Sequence, residues 1–194
     1  MKIRILIYFN KYKDTITFLD EMLEIFPESE KDPEVLKAAV LRRMQNVETG
    51  LDIINELIQK YPKDNDLLSY KAYWLQYLDK KEEAIHLIHR LVELEPENGL
   101  YQDTYGEILM YFEEYDEAAK RFLKAIMVGS DAWYIYQTYI KLGICHKALE
   151  NYDLALKNLK KGKDLTNKSS IDSETKQKWL SIADLFMNEI DQYL

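Results

Sequence analysis

Tyr105-Gly106-Glu107-Ile108-Leu109-Met110-Tyr111-Phe112-Glu113-Glu114-Tyr115-Asp116-Glu117-Ala118 is the stretch that decides how this chain reads. A small residue, Gly106, opens an apolar run. A short polar break follows, and a second small residue, Ala118, closes the unit. The closing position recurs as Thr15, Gly50, Ala84, Ala118 and Ala155, in steps of 35, 34, 34 and 37 residues. Its first three copies are followed by a proline, Pro27, Pro62 and Pro96. A period near 34 residues is the mark of helix–turn–helix units stacked in a line.

With the closing residue numbered 20, the other positions fall into register. Position 8 is Ile3, Ala38, Ala72, Gly106 and Gly143; position 14 is Phe9, Met44, Leu78, Phe112 and Leu149. Position 24 is Leu19, Ile54, Ile88, Phe122 and Leu159; position 27 is Met22, Leu57, Leu91, Ala125 and Gly162. Positions 8 and 20 are small because two antiparallel helices must approach closely there. The larger residues at 14, 24 and 27 fill the space around that crossing.

These residues resemble the tetratricopeptide repeat (TPR) family. The best copy runs from Tyr105-Gly106 through Tyr115-Asp116-Glu117-Ala118 to Phe122 and Ala125, introduced by Pro96-Glu97-Asn98; Leu142-Gly143 with Tyr152-Asp153-Leu154-Ala155 comes next. The resemblance covers residues 1–165, with two departures. The tryptophan that the family favours early in the first helix is replaced by Glu34, Leu68, Gln102 and Tyr139, and three extra residues stand within 126–135. The resemblance implies an all-α, right-handed TPR-like α-solenoid of about four and a half repeats. The expected array covers 1–169 (a truncated 1–30, then 31–64, 65–98, 99–132 and 133–169), and 170–194 forms a C-terminal capping helix.

Helices are expected near 2–9, 12–26, 33–45, 48–60, 65–78, 82–94, 99–112, 116–128, 132–149, 152–165 and 172–192. Asp32 before Pro33, Asp79 and Asn151 read as helix caps, and Gly129-Ser130-Asp131 as a stop followed by a cap. The N-terminal residues 1–9 read as the remnant of a truncated first helix, with a β-strand as the alternative. Arg4 interrupts the apolar run and no small-residue cleavage site follows, which argues against a signal peptide. The last helix carries Trp179, Ile182, Ala183, Phe186, Ile190 and Tyr193 on one face, the pattern of a lid. Leu180, Leu185 and Met187 lie off that face and offer a second use, self-association as a homodimer.

The chemistry is that of a binder. The net charge of −8 opposes nonspecific attraction to nucleic acid. Acids concentrate in residues 93–131 and lysines, Lys141 among them, in 141–178; the run Lys157–Lys163 reads as a solvated face without an aromatic platform. No segment approaches the roughly 20 apolar residues that span a membrane. One cysteine, Cys145, forms no intramolecular disulfide and suits a reducing, cytoplasmic setting. His86 and His89 lie one turn apart with no third ligand, and Cys145-His146 point in different directions on a helix. Catalytic residues, cofactors and metals are therefore not expected.

In the family, positions 2, 5, 9, 12 and 13 of the first helices line the inner surface. The resemblance thus implies a peptide-binding groove that includes Tyr73, Tyr77, Asp103, Glu107, Met110, Tyr111 and Ile144. The family's carboxylate clamp, built at positions 5 and 9, has no counterpart in Val35, Ser69, Asp103 and Ile140 or in Ala39, Tyr73, Glu107 and Ile144. The expected function is a non-enzymatic adaptor or scaffold. It would hold another protein's peptide or helix with apolar anchors and basic groups opposite Asp66, Asp103 and Glu107. The alternative is an architectural subunit that docks a folded partner through its convex face or last helix.

Overall fold

The computed structural model describes residues 3, 11–26, 31–130 and 132–193, and the regular elements among them are helical. Residues 2–9, expected as a helix, lie outside the described residues except for Ile3. The chain divides into two compact units, 1–84 and 85–194.

The first unit holds α1 (Tyr12–Ile25), α2 (Lys31–Arg43), α3 (Val47–Lys60), α4 (Asn65–Leu75) with a 3-10 turn over Gln76–Leu78, and the first turn of α5 (Lys81–Leu94). Its core is the repeat register made physical: Leu19, Ala38, Ile54, Ala72 and Ala84 are fully buried. The small residue at position 20 is needed where α2 crosses α3. A Cβ on Gly50 would stand 2.9 Å from the Ala38 carbonyl oxygen and 3.2 Å from the Trp74 ring.

The second unit holds the rest of α5, then α6 (Gly99–Tyr111), α7 (Tyr115–Val128), α8 (Ile135–Ala148), α9 (Tyr152–Lys168) and α10 (Ser173–Ile190). Here the crossings need small residues at position 8. A Cβ on Gly106 would meet the Phe122 ring at 2.6 Å, and one on Gly143 would meet Leu159 Cγ at 2.7 Å.

Each described repeat turns between its helices by the same device. Gln45, Asp79, Glu113 and Glu150 have φ of 63°, 55°, 62° and 61°, the left-handed region. They recur in steps of 34, 34 and 37, the period of the small residues. The left-handed conformation costs a non-glycine residue about 1–2 kcal/mol. It is held because it ends the first helix with bonds across the last turn. The amides of Asn46, Lys80, Glu114 and Asn151 donate to the carbonyls of Leu41, Leu75, Leu109 and His146 at 3.0, 3.1, 2.9 and 2.9 Å.

This geometry corrects three expected caps. Asp79 is the left-handed turn residue itself. Asn151 precedes α9 without a side-chain cap bond, and Asp32 lies inside the first turn of α2, which begins at Lys31. Side-chain caps form instead at Asp64, Asn98 and Asp172, whose oxygens accept from the amides of Asp66, of Leu100 and Tyr101, and of Thr175. Gly129 ends α7 as expected, with its amide on the Ala125 carbonyl, while Asp131 lies outside the described residues.

Helix α10 lies against α8 and α9. Its Ala183 and Ile190 share a buried cluster with Ile140, Ala155 and Leu159, and Trp179, Ile182, Phe186 and Met187 pack on that cluster. Met187, expected off the apolar face, is part of it. Charge pairs from Lys147 to Glu189 and from Lys163 to Asp184 tie down the rim.

Candidate functional site

The expected groove residues fall in both units, and each set has its own geometry. In the first unit, Tyr73 sits on α4 and Tyr77 one turn later in the 3-10 segment, a spacing of four that brings both rings to one side. The rings meet edge to face with centroids 5.6 Å apart, and the two hydroxyls are 2.9 Å apart. Arg42, in the last turn of α2, places its guanidinium carbon 5.7 Å from the Tyr73 centroid and 5.2 Å from that of Tyr77. The helix repeat explains the meeting: Arg42 is at position 12 of one unit, and Tyr73 and Tyr77 are at positions 9 and 13 of the next. Tyr77 remains 36% exposed.

In the second unit the two acids turn inward. Asp103 is only 4% exposed. One of its oxygens accepts from the Thr138 hydroxyl at 2.7 Å, and the other accepts from Lys141 Nζ at 2.5 Å. Lys141 also donates to Glu107 at 3.1 Å and lies 5.3 Å from the centroid of the Phe122 ring. Burial by itself would lower the Lys141 pKa, but the Asp103 and Glu107 carboxylates outweigh it and hold the ammonium above its usual range. The buried charges are thus paired and hydrogen-bonded, the arrangement that a dry site requires.

Read from sequence, Lys141 counts only among the lysines of the basic stretch 141–178 and is assigned no partner. The legible signal was its setting: Lys141 is the one charge in Tyr139-Ile140-Lys141-Leu142-Gly143-Ile144-Cys145, a run otherwise made for the interior. Thr138, one turn earlier, also went unread. Cys145 is buried, and its thiol is pushed up to about 12 by desolvation, which makes it unreactive as a nucleophile.

The remaining expected residues divide. Tyr111, at the end of α6, is 49% exposed and rests edge-on against Phe112 at 5.2 Å. Met110 beside it is half-buried. Ile144 packs against the cluster that α10 completes, and Lys147 beside it pairs with Glu189 and lies over Phe186 at 5.2 Å. The last helix therefore engages Ile144 and Lys147, two of the positions expected to line the groove in the final repeat.

The tetratricopeptide repeat model matches residues 35–64. No curated protein matches the sequence. Among solved structures, TTC0263, a thermophilic TPR protein of Thermus thermophilus, is similar at a TM-score of 0.71 and 14% identity, over 93% of this chain and 94% of that one. MamA from Desulfovibrio magneticus RS-1 (residues 41 to the end) is similar at 0.59 and 12%, over 87% and 93%. YrrB, described as a TPR protein with an unusual peptide-binding site, is similar at 0.52 and 20%, over 84% and 81%. The fold is that of an all-α TPR-like solenoid.

Proposed function

From a chain that carries a tetratricopeptide repeat in a tetratricopeptide-repeat fold, we infer a non-enzymatic protein-interaction module that holds a segment of another protein on its first helices. One observation carries the reading. Tyr77 and Tyr111 stand at the same repeat position, 34 residues apart, and both expose a large aromatic surface on helices whose other apolar residues are mostly buried. An exposed tyrosine supplies broad amphipathic contact at little entropic cost and is favoured at interfaces. Each unit has its own candidate anchors: Tyr73 and Tyr77 on the first, and Met110 and Tyr111 on the second. Glu107, half-buried and paired with Lys141, offers the second unit's remaining acidic edge to a basic partner group. Asp103 and Ile144 support these faces from within. The peptide-binding site described for YrrB agrees with peptide capture as a use of this fold.

A second reading has its own observation. Leu123 and Met127 on α7, and Trp133 after it, are exposed on the second unit away from the first-helix positions. They suit an architectural subunit that docks a folded partner. Self-association through α10 has less to work with, because the apolar face of that helix is packed and Leu185 is its exposed large apolar residue.

Affinity capture with mass spectrometry would supply the partner, and calorimetry on single variants separates the readings. Tyr77→Ala or Tyr111→Ala should weaken binding by about tenfold, or roughly 1.4 kcal/mol, in a protein that melts normally. Unchanged affinity in both, with loss in Leu123→Glu or Met127→Glu, would move the interface to α7.

A further inference from the structure

Among the described residues, two arginines lie over tyrosine rings, and the two cases differ. Arg121 lies 4.4 Å from the Tyr105 centroid, and its guanidinium meets the Glu117 carboxylate at 2.9 Å. Its charge is answered. Arg42 lies against two rings, at 5.7 and 5.2 Å, and among the described residues no carboxylate pairs with it. Both arginines bury an Nε without a hydrogen-bond partner, so that atom does not distinguish them. The missing acid does.

The helix end accounts for a cation here but not for the rest. Arg42 and Arg43 occupy the last turn of α2, where the helix dipole favours positive charge. The dipole gives no reason for two tyrosines from the next repeat to close on one guanidinium. The two ring faces within cation–π distance and the buried Nε show that the guanidinium has already given up part of its water. A guanidinium prepared in this way binds a carboxylate more strongly than a freely hydrated one, because less entropy and hydration remain to be lost. Arg43 beside it is exposed and adds to the local positive field.

We propose that Arg42, framed by Tyr73 and Tyr77, is a receptor for a carboxylate of the bound protein segment. The proposal rests on the protein-binding reading above and gives that reading its chemistry on the first unit. The segment presents an aspartate, a glutamate or its own C-terminal carboxylate, with an apolar or aromatic neighbour against Tyr77. A lysine replaces Arg42 only in part here, since an ammonium keeps the charge but lacks the fork that binds two oxygens.

The test begins with the whole chain as bait for random peptides displayed in two formats, one with free C-termini and one with the peptide fused at both ends. The tightest binder is then synthesised with its acid intact, with that acid replaced by the amide, and with its C-terminus amidated. Affinities are measured by calorimetry against the native chain and against Arg42→Gln, Arg42→Lys, Tyr77→Ala and Tyr111→Ala. Enriched peptides should carry an acid beside an aromatic residue. Removing the peptide's acid or introducing Arg42→Gln should each weaken binding by about tenfold or more, and the two losses should not add. Arg42→Lys should recover only part. Loss on C-terminal amidation identifies the chain terminus as the source, and loss on the side-chain amide identifies an acidic residue. Additive losses would mean that Arg42 merely holds the two rings in place, and would overturn the proposal. So would enriched peptides without acids, or binding that responds to Tyr111→Ala but to neither Arg42→Gln nor Tyr77→Ala; the broader binding reading survives those outcomes. Failure to enrich any peptide sinks both. If Arg42→Gln melts too low to use, the amide peptide against the native chain decides, with equal affinity for acid and amide overturning the proposal.

Discussion

Among the described residues, Lys141 is a charge buried to 2% exposure and held by two carboxylates. Its ammonium is buried between Asp103 and Glu107, with Thr138 on the other Asp103 oxygen. Removing Lys141 leaves Asp103 buried with the Thr138 hydroxyl, and removing Asp103 leaves the buried ammonium with Glu107 alone. Breaking a buried pair costs about 3–5 kcal/mol, whereas replacing the pair by apolar residues of similar size is often neutral. Lys141→Ala and Asp103→Ala should therefore each lower urea stability severely, while Asp103→Leu combined with Lys141→Met should recover most of it. Two single losses that simply sum in the double variant would refute the coupling. The pair also sets an alkaline limit. A lysine pKa raised in the folded state contributes stability that is complete below the unfolded value, near 10.4, and is lost as pH rises through the folded value. The buried phenols of Tyr105 and Tyr134, raised by desolvation, fail over the same range. The measure is thus the extra fall in melting temperature above pH 10.4 in the native chain relative to the Leu/Met variant. This residue-scale network could not be read from the repeat pattern. The pattern encodes which positions are small or large, and a buried lysine is neither until its acid is seen across the helix crossing.

The helices were legible because packing, not propensity, chose the residues. Ala38, Ala72, Ala84, Ala118 and Ala155 are all fully buried, and so are Ile54, Ile88, Phe122 and Leu159 at position 24. Helix ends were less legible, since a left-handed turn at Asp79 and a cap at the same residue look alike in sequence. Gly162 offers a sharp test of the register in α9. An added Cβ would stand 2.5 Å from Ile140 Cγ1 and 3.0 Å from both the Ile140 nitrogen and the Tyr136 carbonyl oxygen. Backbone cannot yield as a side-chain tip can. Gly162→Ala should cost roughly 1–3 kcal/mol in spite of alanine's better helix propensity. Lys157→Ala, on the exposed side of the same helix, should stay within about 0.5 kcal/mol. Equal effects on thermal melting would contradict the crossing. A second element-scale expectation concerns α10, whose Ala183 and Ile190 close a cluster with α8 and α9. Fully burying one such apolar side chain stabilises by about 1.5–3 kcal/mol, so a chain truncated after residue 169 exposes several at once. It should aggregate or melt far lower, as read by light scattering and circular dichroism. A monomer with native melting would deny α10 its role as a lid.

At the scale of the whole molecule, charge and local chemistry pull in opposite directions. The chain carries −8, yet the candidate receptor on its first unit is an arginine with a second arginine beside it. Neither the repeat period nor the composition reveals this opposition, because Arg42 becomes a receptor only when the next repeat lays Tyr73 and Tyr77 against it. An approaching acidic segment meets the field of the whole chain first and the Arg42 guanidinium last. The two act over different distances. Screening lengths are about 30 Å at 0.01 M salt and about 8 Å at 0.15 M, so added salt removes the long-range repulsion first. A contact made with a half-buried group is screened much less. The association rate of an acidic peptide, measured by stopped flow, should therefore rise by a factor of a few from about 0.01 to 0.15 M salt, while its dissociation rate changes little. Arg42→Gln should act the other way round, raising the dissociation rate and leaving the salt response of association nearly intact. If association of the acidic peptide instead falls steadily with salt, the positive field of Arg42 and Arg43 dominates the approach, and the net charge of the chain has no say in which partner it meets.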